Sequence, residues 1–386
     1  MPSLKSRSTL HPNRPRLLRC LPPGGLALLL LVLSGCSTAK NFNRRPNCLP
    51  CEVLLGPVSP STGEAVCPTS VEPFSTPHQF RNLVFEGGGV KGAAYGGAFE
   101  TLAAAGRIGD IERVAGTSAG AANALMFALG YSPAEIRTLT VDGVALPDLV
   151  DGSSALVNGT RLFRRFGWYR GDGLQCYLEC LVEQKLGDPG ATFADLEARL
   201  GNDGFRELWV VGTDLSAARS VIFSHHTFPD MPLAEAVRVS MGIPLFFPAR
   251  QVDVAGDPSI MVDGSLLLNY PIDIFDEIDD PGATLGFQLG ASTDRRRPID
   301  GMTAYTTALL TALADAQVFA LCRDPDDVAR TVFIDPGPIS ATAFDLTAEQ
   351  KCELVRRGAQ ATQSYLEQET PARDCPSWLE DLLVLD

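Results

Sequence analysis

Two glycine-rich turns, each lying between a short apolar strand and a helix, constrain the fold of this chain most strongly. Residues 82–86 form an apolar strand pattern that ends in Gly87-Gly88-Gly89 and leads into good helix formers. A second apolar strand at 111–115 runs into Gly116-Thr117-Ser118-Ala119-Gly120 and another helical stretch. Strand, turn and helix thus repeat twice within about fifty residues, which predicts an α/β domain with parallel neighbouring strands.

The same alternation of strands and helices continues along the chain. Four further strands are predicted, at 207–213, 220–224, 284–289 and 331–334. Helices are predicted at 93–105, 121–129, 173–186, 232–241, 302–321 and 348–366. Because no linker interrupts the alternation, we expect one domain over residues 78–370, with a central, mainly parallel sheet flanked by helices and a C-terminal tail at 371–386.

The N-terminal segment has the features of an export signal. Residues 1–35 hold five basic residues and no acidic one. Their apolar run, 26–33, is far shorter than the roughly 20 residues needed to span a bilayer. We interpret 1–35 as a signal peptide. The proline-rich stretch that follows, 36–77, is predicted to be a flexible tether without a core of its own.

The end of the signal resembles a bacterial lipobox. In Leu33-Ser34-Gly35-Cys36, Cys36 would carry lipid and become the mature N-terminus. A plain secretory signal cleaved near Ala39 remains the alternative. The serine after Cys36 is typical of lipoproteins of the bacterial outer membrane, so we expect a lipid-anchored protein of the cell envelope. A periplasmic or secreted protein is the second possibility.

The charge balance limits the partners. The chain has 32 basic and 46 acidic residues, a formal net charge of −14. Without residues 1–35 the balance is 27 to 46, a charge of −19. Such a chain has no positive field to attract nucleic-acid phosphates or anionic lipids. Nucleic acid is therefore not an expected partner, and the lipid anchor is the predicted contact with a membrane.

Cysteine usage agrees with export. Besides Cys20 and Cys36, eight cysteines remain, an even number that fits disulfides in an oxidising compartment. Their connectivity cannot be read from the sequence. A zinc site through Cys48-x-x-Cys51 is the alternative, although no second pair of ligands with suitable spacing accompanies it in the tether.

Gly116-x-Ser118-x-Gly120 has the form of a nucleophile elbow. Gly116 and Gly120 allow the tight strand-to-helix turn that lifts a serine hydroxyl away from the backbone. The position after an apolar strand and before a helix is the context that this mechanism requires. Taken alone, the motif fits a tight turn with a capping serine equally well. Ser118 is therefore a candidate nucleophile.

The first glycine turn, Gly87-Gly88-Gly89-Val90-Lys91-Gly92, leaves backbone N–H groups bare at the start of a helix, where they stabilise negative charge. A dinucleotide-binding turn would need an acidic residue at the end of the next strand, which instead ends in Val114-Ala115. A P-loop would need Lys and Ser or Thr where the chain has Ala93-Ala94. The interpretation that uses both glycine turns is an oxyanion hole, with the candidates Gly87, Gly88, Gly89, Lys91 and Gly92.

A serine nucleophile needs a base, and the chain has four histidines. His225-His226 closes a predicted strand without an evident orienting acid, so a histidine triad stays open as an alternative. The other candidate is Asp263, at a strand end and followed by a glycine. Held dry against a serine hydroxyl, its carboxylate can take the proton as the oxyanion forms. An ordinary turn aspartate fits the same pattern.

In this order, the glycine turn at 87–92, the elbow at 116–120 and Asp263-Gly264 resemble the three motifs of patatin-like phospholipases. The likeness extends over residues 81–275 and includes further segments at 210–215, 236–244 and 269–271. It implies a three-layer patatin-like α/β fold and a Ser–Asp dyad. No metal, calcium site or other cofactor is implied. One departure is Ser265, where the family usually has Gly or Ala.

Carried onto this chain, the resemblance makes Ser118 the nucleophile, Asp263 the base and the amides around Gly88 and Gly89 the oxyanion hole. Ser240 is interpreted as structural, because no elbow surrounds it. The implied function is a phospholipase-like lipid acyl hydrolase, a serine hydrolase acting on phospholipid or other fatty-acyl esters. Apolar residues near the motifs are candidates for an acyl groove or for the core, namely Met126, Phe127, Trp168, Tyr169, Phe246 and Phe247.

Two other functions remain open. One is a serine esterase or thioesterase that acts on acyl esters other than phospholipids. The other is a non-catalytic lipid-binding lipoprotein on the same fold. Retention of an elbow, a glycine turn and a carboxylate favours the enzyme, because a binding module has no need for all three in one pocket.

Overall fold

The computed structural model describes residues 48–55, 67, 71–141, 151, 154–202, 204–290 and 299–380. The predicted signal peptide, Cys36 and Ala39 lie outside these residues. The described residues contain eight strands: β1 (Asn82–Phe85), β2 (Arg113–Thr117), β3 (Glu207–Asp214), β4 (Arg219–Phe223), β5 (Arg250–Val254), β6 (Asp257–Asp263), β7 (Thr284–Leu289) and β8 (Thr331–Ile334).

Helices flank the strands along the chain. They are α1 (Cys51–Leu55), α2 (Ala94–Ala104), α3 (Ala119–Ala128), α4 (Pro133–Val141), α5 (Ala155–Arg165), α6 (Asp172–Leu186), α7 (Phe193–Glu197), α8 (Leu233–Ser240), α9 (Met302–Leu321), α10 (Pro325–Ala329), α11 (Ala348–Leu366) and α12 (Ser377–Glu380). Short 3₁₀ turns include Gly89–Ala93 and Gly264–Leu266. The predicted capping box of α11 is present, since Thr347 and Gln350 bond each other's backbone.

The sheet has the order β5-β6-β3-β2-β1-β7-β8, and β4 also pairs with β3. The pairs β3-β2, β2-β1, β1-β7 and β7-β8 are parallel, whereas β4, β6 and β5 join as antiparallel strands. The prediction of an α/β fold with a mainly parallel central sheet is confirmed. Sequence reasoning missed β5 and most of β6, because apolar and polar residues alternate only weakly in these strands. It also missed the helices α4 and α5.

The parallel strands lie in the middle of the core. Every residue of β1 and β7 is buried, as expected for strands covered on both faces. The ring of Phe85 in β1 stacks on Phe287 of β7 and packs against Phe99 of α2. These contacts fix the end of β1 in the sheet, and they therefore fix the position at which the glycine turn begins.

Strand register brings the candidate motifs to one edge of the sheet. Phe85 at the end of β1 pairs with Gly116 of β2, and Thr117 pairs with Val211 of β3. Gly212, the next residue of β3, pairs with Asp263 at the end of β6. The residues that follow β1 and β2 therefore meet the last residue of β6 at the carboxyl edge of the parallel strands.

The prediction of a loose tether at 36–77 is wrong for the described residues. Helix α1 lies in this segment, and Leu55 is buried in the main core. Disulfides fasten the segment to the domain at three points, namely Cys48–Cys176, Cys51–Cys180 and Cys67–Cys352. Because both sulfurs of Cys48-x-x-Cys51 are in disulfides, the alternative of a zinc site there is also wrong.

The predicted C-terminal tail likewise belongs to the domain as far as it is described. Cys375 forms a disulfide with Cys322. Leu379 of α12 is fully buried against Val318 and Val328. The sequence did not show this because the segment is too short and too polar for a periodic pattern, and the disulfide partner lies 53 residues away.

Helix α9 is long and apolar enough, by length and composition, to cross a membrane over residues 304–321, and only 12 % of that window is buried. Its last turns pack on the domain through Val318 and Leu321. Towards its start, Tyr305, Leu309 and Leu313 are exposed at a spacing of four residues, so they lie along one side of the helix.

Candidate active site

Ser118 occupies a sharp turn between β2 and α3. Its backbone has φ 53° and ψ −122°, a conformation that non-glycine residues rarely adopt. A Cβ at Gly116 would lie 2.4 Å from the backbone of Gly120, and a Cβ at Gly120 would lie 2.3 Å from the carbonyl oxygen of Phe85. The turn can close only because both positions are glycine.

The Ser118 hydroxyl donates a hydrogen bond of 2.8 Å to Oδ2 of Asp263. The two residues are separated by 145 positions in sequence and are 6 % and 3 % exposed. The structure therefore brings the predicted nucleophile and the predicted base into direct contact. A hydroxyl and a carboxylate in this arrangement can exchange a proton without an intervening water.

The surroundings of Asp263 raise its basicity. Burial raises the pKa of Asp263 from 3.8 to about 6, while hydrogen bonds from Ser265 and Ser118 and the charge of Arg238 oppose the rise. The Ser265 N–H donates to Oδ1 at 2.9 Å and leaves Oδ2 to Ser118. The departure at Ser265 is thus compatible with the dyad, since its backbone orients the carboxylate.

The first glycine turn lies directly beside Ser118. A Cβ at Gly87 would be 3.1 Å from Cβ of Ser118. Gly88 has φ −163°, and Gly89 has φ 56° in a place where a Cβ would lie 2.1 Å from the carbonyl oxygen of Ala341. Only glycine fits the second of these positions.

The structure narrows the set of amides available to an oxyanion. The Gly87 N–H donates to Asn269 O at 3.1 Å, and the Lys91 N–H donates to Gly88 O at 3.2 Å. Lys91 Nζ is bound to the carbonyl oxygen of Gly290, 3.0 Å away. Gly92 packs against α3, the helix that follows Ser118, since a Cβ at Gly92 would lie 3.0 Å from Cβ of Ala119. Among the described residues, the N–H groups of Gly88 and Gly89 have no acceptor.

A buried glutamate, Glu86, links the glycine turn to β7 through hydrogen bonds. Glu86 Oε2 accepts from the Leu289 N–H at 2.6 Å, and Oε1 accepts from Asn269 Nδ2 at 2.9 Å. Asn269 Nδ2 also contacts Gly87 O at 3.2 Å. Burial raises the pKa of Glu86 to about 8. Sequence reasoning missed Glu86, although an acidic residue at the end of an apolar strand is a signal that could have found it.

Ser240 supports the elbow itself. Its hydroxyl accepts the Ser118 N–H at 2.8 Å, and the nearby Gly242 O accepts the Asp263 N–H at 3.1 Å. Both acceptors lie at the end of α8, so this helix end holds the backbones of Ser118 and Asp263 together. Sequence reasoning assigned Ser240 a structural role without finding its partner, which lies 122 residues away.

The histidine alternative does not fit the structure. His225 and His226 follow β4, whose antiparallel pairing with β3 places them near Glu207 at the first residue of that strand. Glu207 pairs with Arg113, the first residue of β2, whereas Ser118 directly follows the last residue of that strand. Ser118 is thus five residues along the chain from Arg113, and at about 3.3 Å per residue the two ends of β2 lie roughly 16 Å apart. These histidines therefore lie too far from Ser118 to act as its base.

The candidates for an acyl groove separate into two groups. Met126 and Phe127 are buried in the core, where Phe127 stacks on Phe99. Phe246, in the loop after Gly242, is buried in the same core and contacts Tyr169 and Phe344, with ring centroids 4.5 and 5.3 Å apart. Phe247 is buried as well, whereas Trp168 and Tyr169 are half-buried.

Comparisons with known proteins identify the family of the chain. The family model described as "Patatin-like phospholipase" matches residues 83–276. The chain is 32 % identical over 305 residues to "Uncharacterized protein YqhO" of Bacillus subtilis (strain 168), covering 74 % of this chain and 98 % of the relative. It is 26 % identical over 201 residues to "Probable lipid hydrolase 463L" of Invertebrate iridescent virus 6, covering 51 % of this chain and 64 % of that protein.

A solved structure shows the same fold. The crystal structure of VipD from Legionella pneumophila aligns with a TM-score of 0.53 at 18 % sequence identity. The alignment covers 76 % of this chain and 67 % of the VipD chain. The likeness is one of architecture, namely a mostly parallel sheet flanked by helices.

Proposed function

Because the chain belongs to the patatin-like phospholipase family, we propose that it is a lipid acyl hydrolase in which Ser118 is the nucleophile and Asp263 is the base. One observation carries the proposal, the 2.8 Å hydrogen bond from the Ser118 hydroxyl to Asp263 inside a strained elbow. The name of the viral relative, a probable lipid hydrolase, agrees with this reaction class.

Acylation begins with attack of Ser118 Oγ on the carbonyl carbon of the ester. The hydroxyl proton passes to Asp263 Oδ2 as the new C–O bond forms. The carbonyl oxygen becomes an oxyanion, which accepts hydrogen bonds from the N–H groups of Gly88 and Gly89. When the intermediate collapses, the leaving alcohol takes the proton from Asp263, and the acyl group remains on Ser118.

Deacylation uses the same groups in reverse. Asp263 removes a proton from a water molecule that attacks the acyl carbon, and the oxyanion again forms at the two glycine amides. Collapse releases the fatty acid and returns the proton to Ser118. Because burial raises the pKa of Asp263 to about 6, the carboxyl is ionised at neutral pH and is a stronger base than an exposed aspartate.

An apolar stripe beside the site supports a lipid substrate over a small soluble ester. Tyr305, Leu309 and Leu313 of α9 are 55, 50 and 37 % exposed. One turn further along the helix, Gln317 Nε2 donates to Ser265 O, and Gln317 Oε1 accepts the Asn269 N–H. The stripe therefore ends at the loop that carries the base. Exposed apolar side chains in this position suit contact with a lipid surface.

The substrate class can be tested with paired substrates. We expect Leu309→Asp to lower hydrolysis of phospholipid vesicles about tenfold, since it places a charge where apolar surface meets lipid. Hydrolysis of a short soluble ester should change much less. Equal losses on both substrates would argue for a soluble-ester hydrolase.

Ile278→Asp is the matched control for this substitution. Ile278 is as exposed as Leu309, at 51 % against 50 %, so the same charge is added at the same degree of exposure. The next residue, Asp279, contacts Asn82 at the first position of β1, which places Ile278 at the amino edge of the sheet, away from the stripe. We expect Ile278→Asp to leave vesicle hydrolysis within about twofold of wild type.

The enzyme can be distinguished from a non-catalytic lipid-binding protein by active-site labelling. A fluorophosphonate probe should label the full chain at Ser118, because the serine oxygen attacks phosphorus and fluoride leaves. Ser118→Ala should abolish both labelling and acyl release from phospholipids. Ser364→Ala, on the exposed face of α11, is the matched serine control. Lipid binding without labelling of the wild type would support the non-catalytic alternative.

For the cellular location we propose export and lipid attachment through Cys36. The four disulfides support an oxidising compartment. Two or more acyl chains at Cys36 would hold the protein firmly on a membrane, whereas a single chain binds only marginally. In a bacterial host, the wild type should incorporate labelled palmitate and partition into detergent. If Cys36→Ala fractionates with membranes as a mature-sized species just as wild type does, the lipid-anchor proposal fails.

A further inference from the structure

Two adjacent histidines and a glutamate converge at the amino edge of the sheet, away from Ser118. Glu207 is the first residue of β3, and His225 and His226 follow the end of β4. Glu197, the last residue of α7, lies beside them. The proposed hydrolase reaction uses none of these four side chains, so the cluster needs its own explanation.

The ligand atoms of this cluster have the spacing of a metal coordination shell. Glu207 Oε1 lies 3.1 Å from His226 Nε2 and 3.4 Å from His225 Nδ1. Glu197 Oε2 lies 3.3 Å from His225 Nδ1. Zinc bonds to N and O of about 2.0–2.2 Å place neighbouring ligands of a tetrahedron about 3.3–3.6 Å apart. The measured distances are close to those expected around one shared ion.

Hydrogen bonding does not account for the contact. His225 Nδ1 is buried and, in the part of the chain that the structure describes, forms no hydrogen bond, although two carboxylate oxygens lie within 3.4 Å. A ring N–H directed at either oxygen would form such a bond. A cation between the lone pairs of His225 Nδ1 and Glu207 Oε1 would satisfy both atoms at once.

Neighbouring groups hold the cluster in this geometry. Trp209 Nε1 donates to Glu207 Oε1 at 2.5 Å, and Arg113 Nε lies 3.4 Å from the other carboxylate oxygen. The hydroxyl of Thr227 accepts the Ser224 N–H at 3.1 Å and donates to Ile222 O at 2.7 Å, which fixes the turn that carries the histidines. Metal ligands are commonly oriented by outer partners of this kind.

We propose that His225, His226 and Glu207 bind a divalent transition-metal ion such as Zn²⁺. Two imidazoles with a carboxylate suit zinc, whereas calcium and magnesium prefer oxygen ligands alone. The His226 side chain is 54 % exposed, so an ion can enter from solvent. A bound ion would link the turn after β4 to the first residue of β3.

The test uses the full chain, purified without a histidine tag and stripped of metal by a chelator. Titration with Zn²⁺, and with Co²⁺ as a coloured probe, should give one ion per chain with a Kd in the micromolar range or tighter. His225→Gln and His226→Gln should each weaken binding about 10-fold to 100-fold or more. His78→Gln is the matched control, because His78 contacts Gln368 O on another part of the surface.

Folding and the active site are checked separately. Each variant should keep the thermal unfolding temperature of the metal-free wild type. Zn²⁺ should raise that temperature in the wild type and in His78→Gln, but not in the His225→Gln/His226→Gln double variant. Ser118→Ala should bind the ion as tightly as wild type, so a failed hydrolase assay and a failed metal titration are independent results. If the His225→Gln/His226→Gln double variant binds Zn²⁺ as tightly and in the same ratio as wild type, the proposed site is wrong.

Discussion

Glu86 and Asp263 are two buried carboxyl groups at the same edge of the sheet, one at the end of β1 and one at the end of β6. Burial raises the pKa of both, to about 8 for Glu86 and about 6 for Asp263. The two carboxyl groups differ in the groups that donate hydrogen bonds to them. Asp263 accepts from the Ser118 hydroxyl, whereas Glu86 accepts from the Leu289 N–H and the Asn269 amide.

This difference in hydrogen-bond donors is the reason why we propose Asp263, and not Glu86, as the base. A hydroxyl can give up its proton to a carboxylate and become a nucleophile, whereas an amide N–H cannot do so at neutral pH. At pH 7 Asp263 is ionised and Glu86 is protonated.

Among changes to the two acids, the largest expected effect is that of Asp263→Asn. The amide keeps the shape of the side chain but cannot accept the Ser118 proton, so we expect turnover to fall about 10²-fold or more. The measurement is kcat for acyl release by protein whose circular dichroism and Tm match the wild type. Asp257→Asn, an exposed change at the start of the same strand, is the control. Turnover within threefold of wild type would remove Asp263 from the base role.

The pH profile of the wild type sharpens the comparison. Because Asp263 must be ionised to act as base and its pKa is raised to about 6, kcat/KM should rise with pH through about 6 and level off above it. If Glu86 were the base, the rise would instead centre near 8. A rising limb near 8 that disappears in Glu86→Gln would reverse the roles proposed for the two acids.

The sequence alone predicted the local features of this site. Ser118 and the glycine turn are set by short segments in which strand, turn and helix follow within a few residues. The fold class followed from the same pattern and is confirmed. The choice of Asp263 as base came from family resemblance, because nothing near residue 263 shows which distant hydroxyl it meets.

The remaining supports could not be predicted because their contacts join distant segments. Ser240 meets Ser118 over 122 residues, and Asn269 meets Glu86 over 183. The pairing of the cysteines could not be predicted for the same reason. The disulfides show that the segment predicted from its proline content to be a loose tether is fastened to the domain. Composition predicts whether a segment can form a core by itself, but a segment fastened by cysteines can share the core of its neighbour.

Glu86→Gln tests the other side of the comparison and should have a smaller effect. Gln can still hydrogen-bond Leu289 and Asn269, so we expect turnover within about tenfold of wild type, with the rising limb of the pH profile unchanged. A loss as large as that of Asp263→Asn would mean that Glu86 takes part in proton transfer.

The same variant should change the pH dependence of stability. Because the pKa of Glu86 is raised in the folded chain, its contribution is fully present below its ordinary value of 4.5 and is lost as pH rises through about 8. Asp263 contributes in the same direction, but mainly below pH 6. Denaturant unfolding between pH 6 and 8 should therefore show falling stability in wild type and a flatter profile in Glu86→Gln. Parallel profiles would show that Glu86 is not buried as a neutral acid.

The smallest expected effect concerns the histidines, which test whether Asp263 acts alone. His225 and His226 lie at the opposite edge of the sheet, roughly 16 Å from the dyad by the strand spacing of about 3.3 Å per residue. No proton can pass directly over that distance, and any ion bound there is equally remote from the ester. We expect the His225→Gln/His226→Gln double variant to keep kcat within a few-fold, measured in chelator and again with added Zn²⁺. The pH profile should still rise near 6, since Asp263 is untouched. If kcat collapses in a double variant with wild-type circular dichroism, a histidine must reach the site by a rearrangement, and Asp263 is not the sole base.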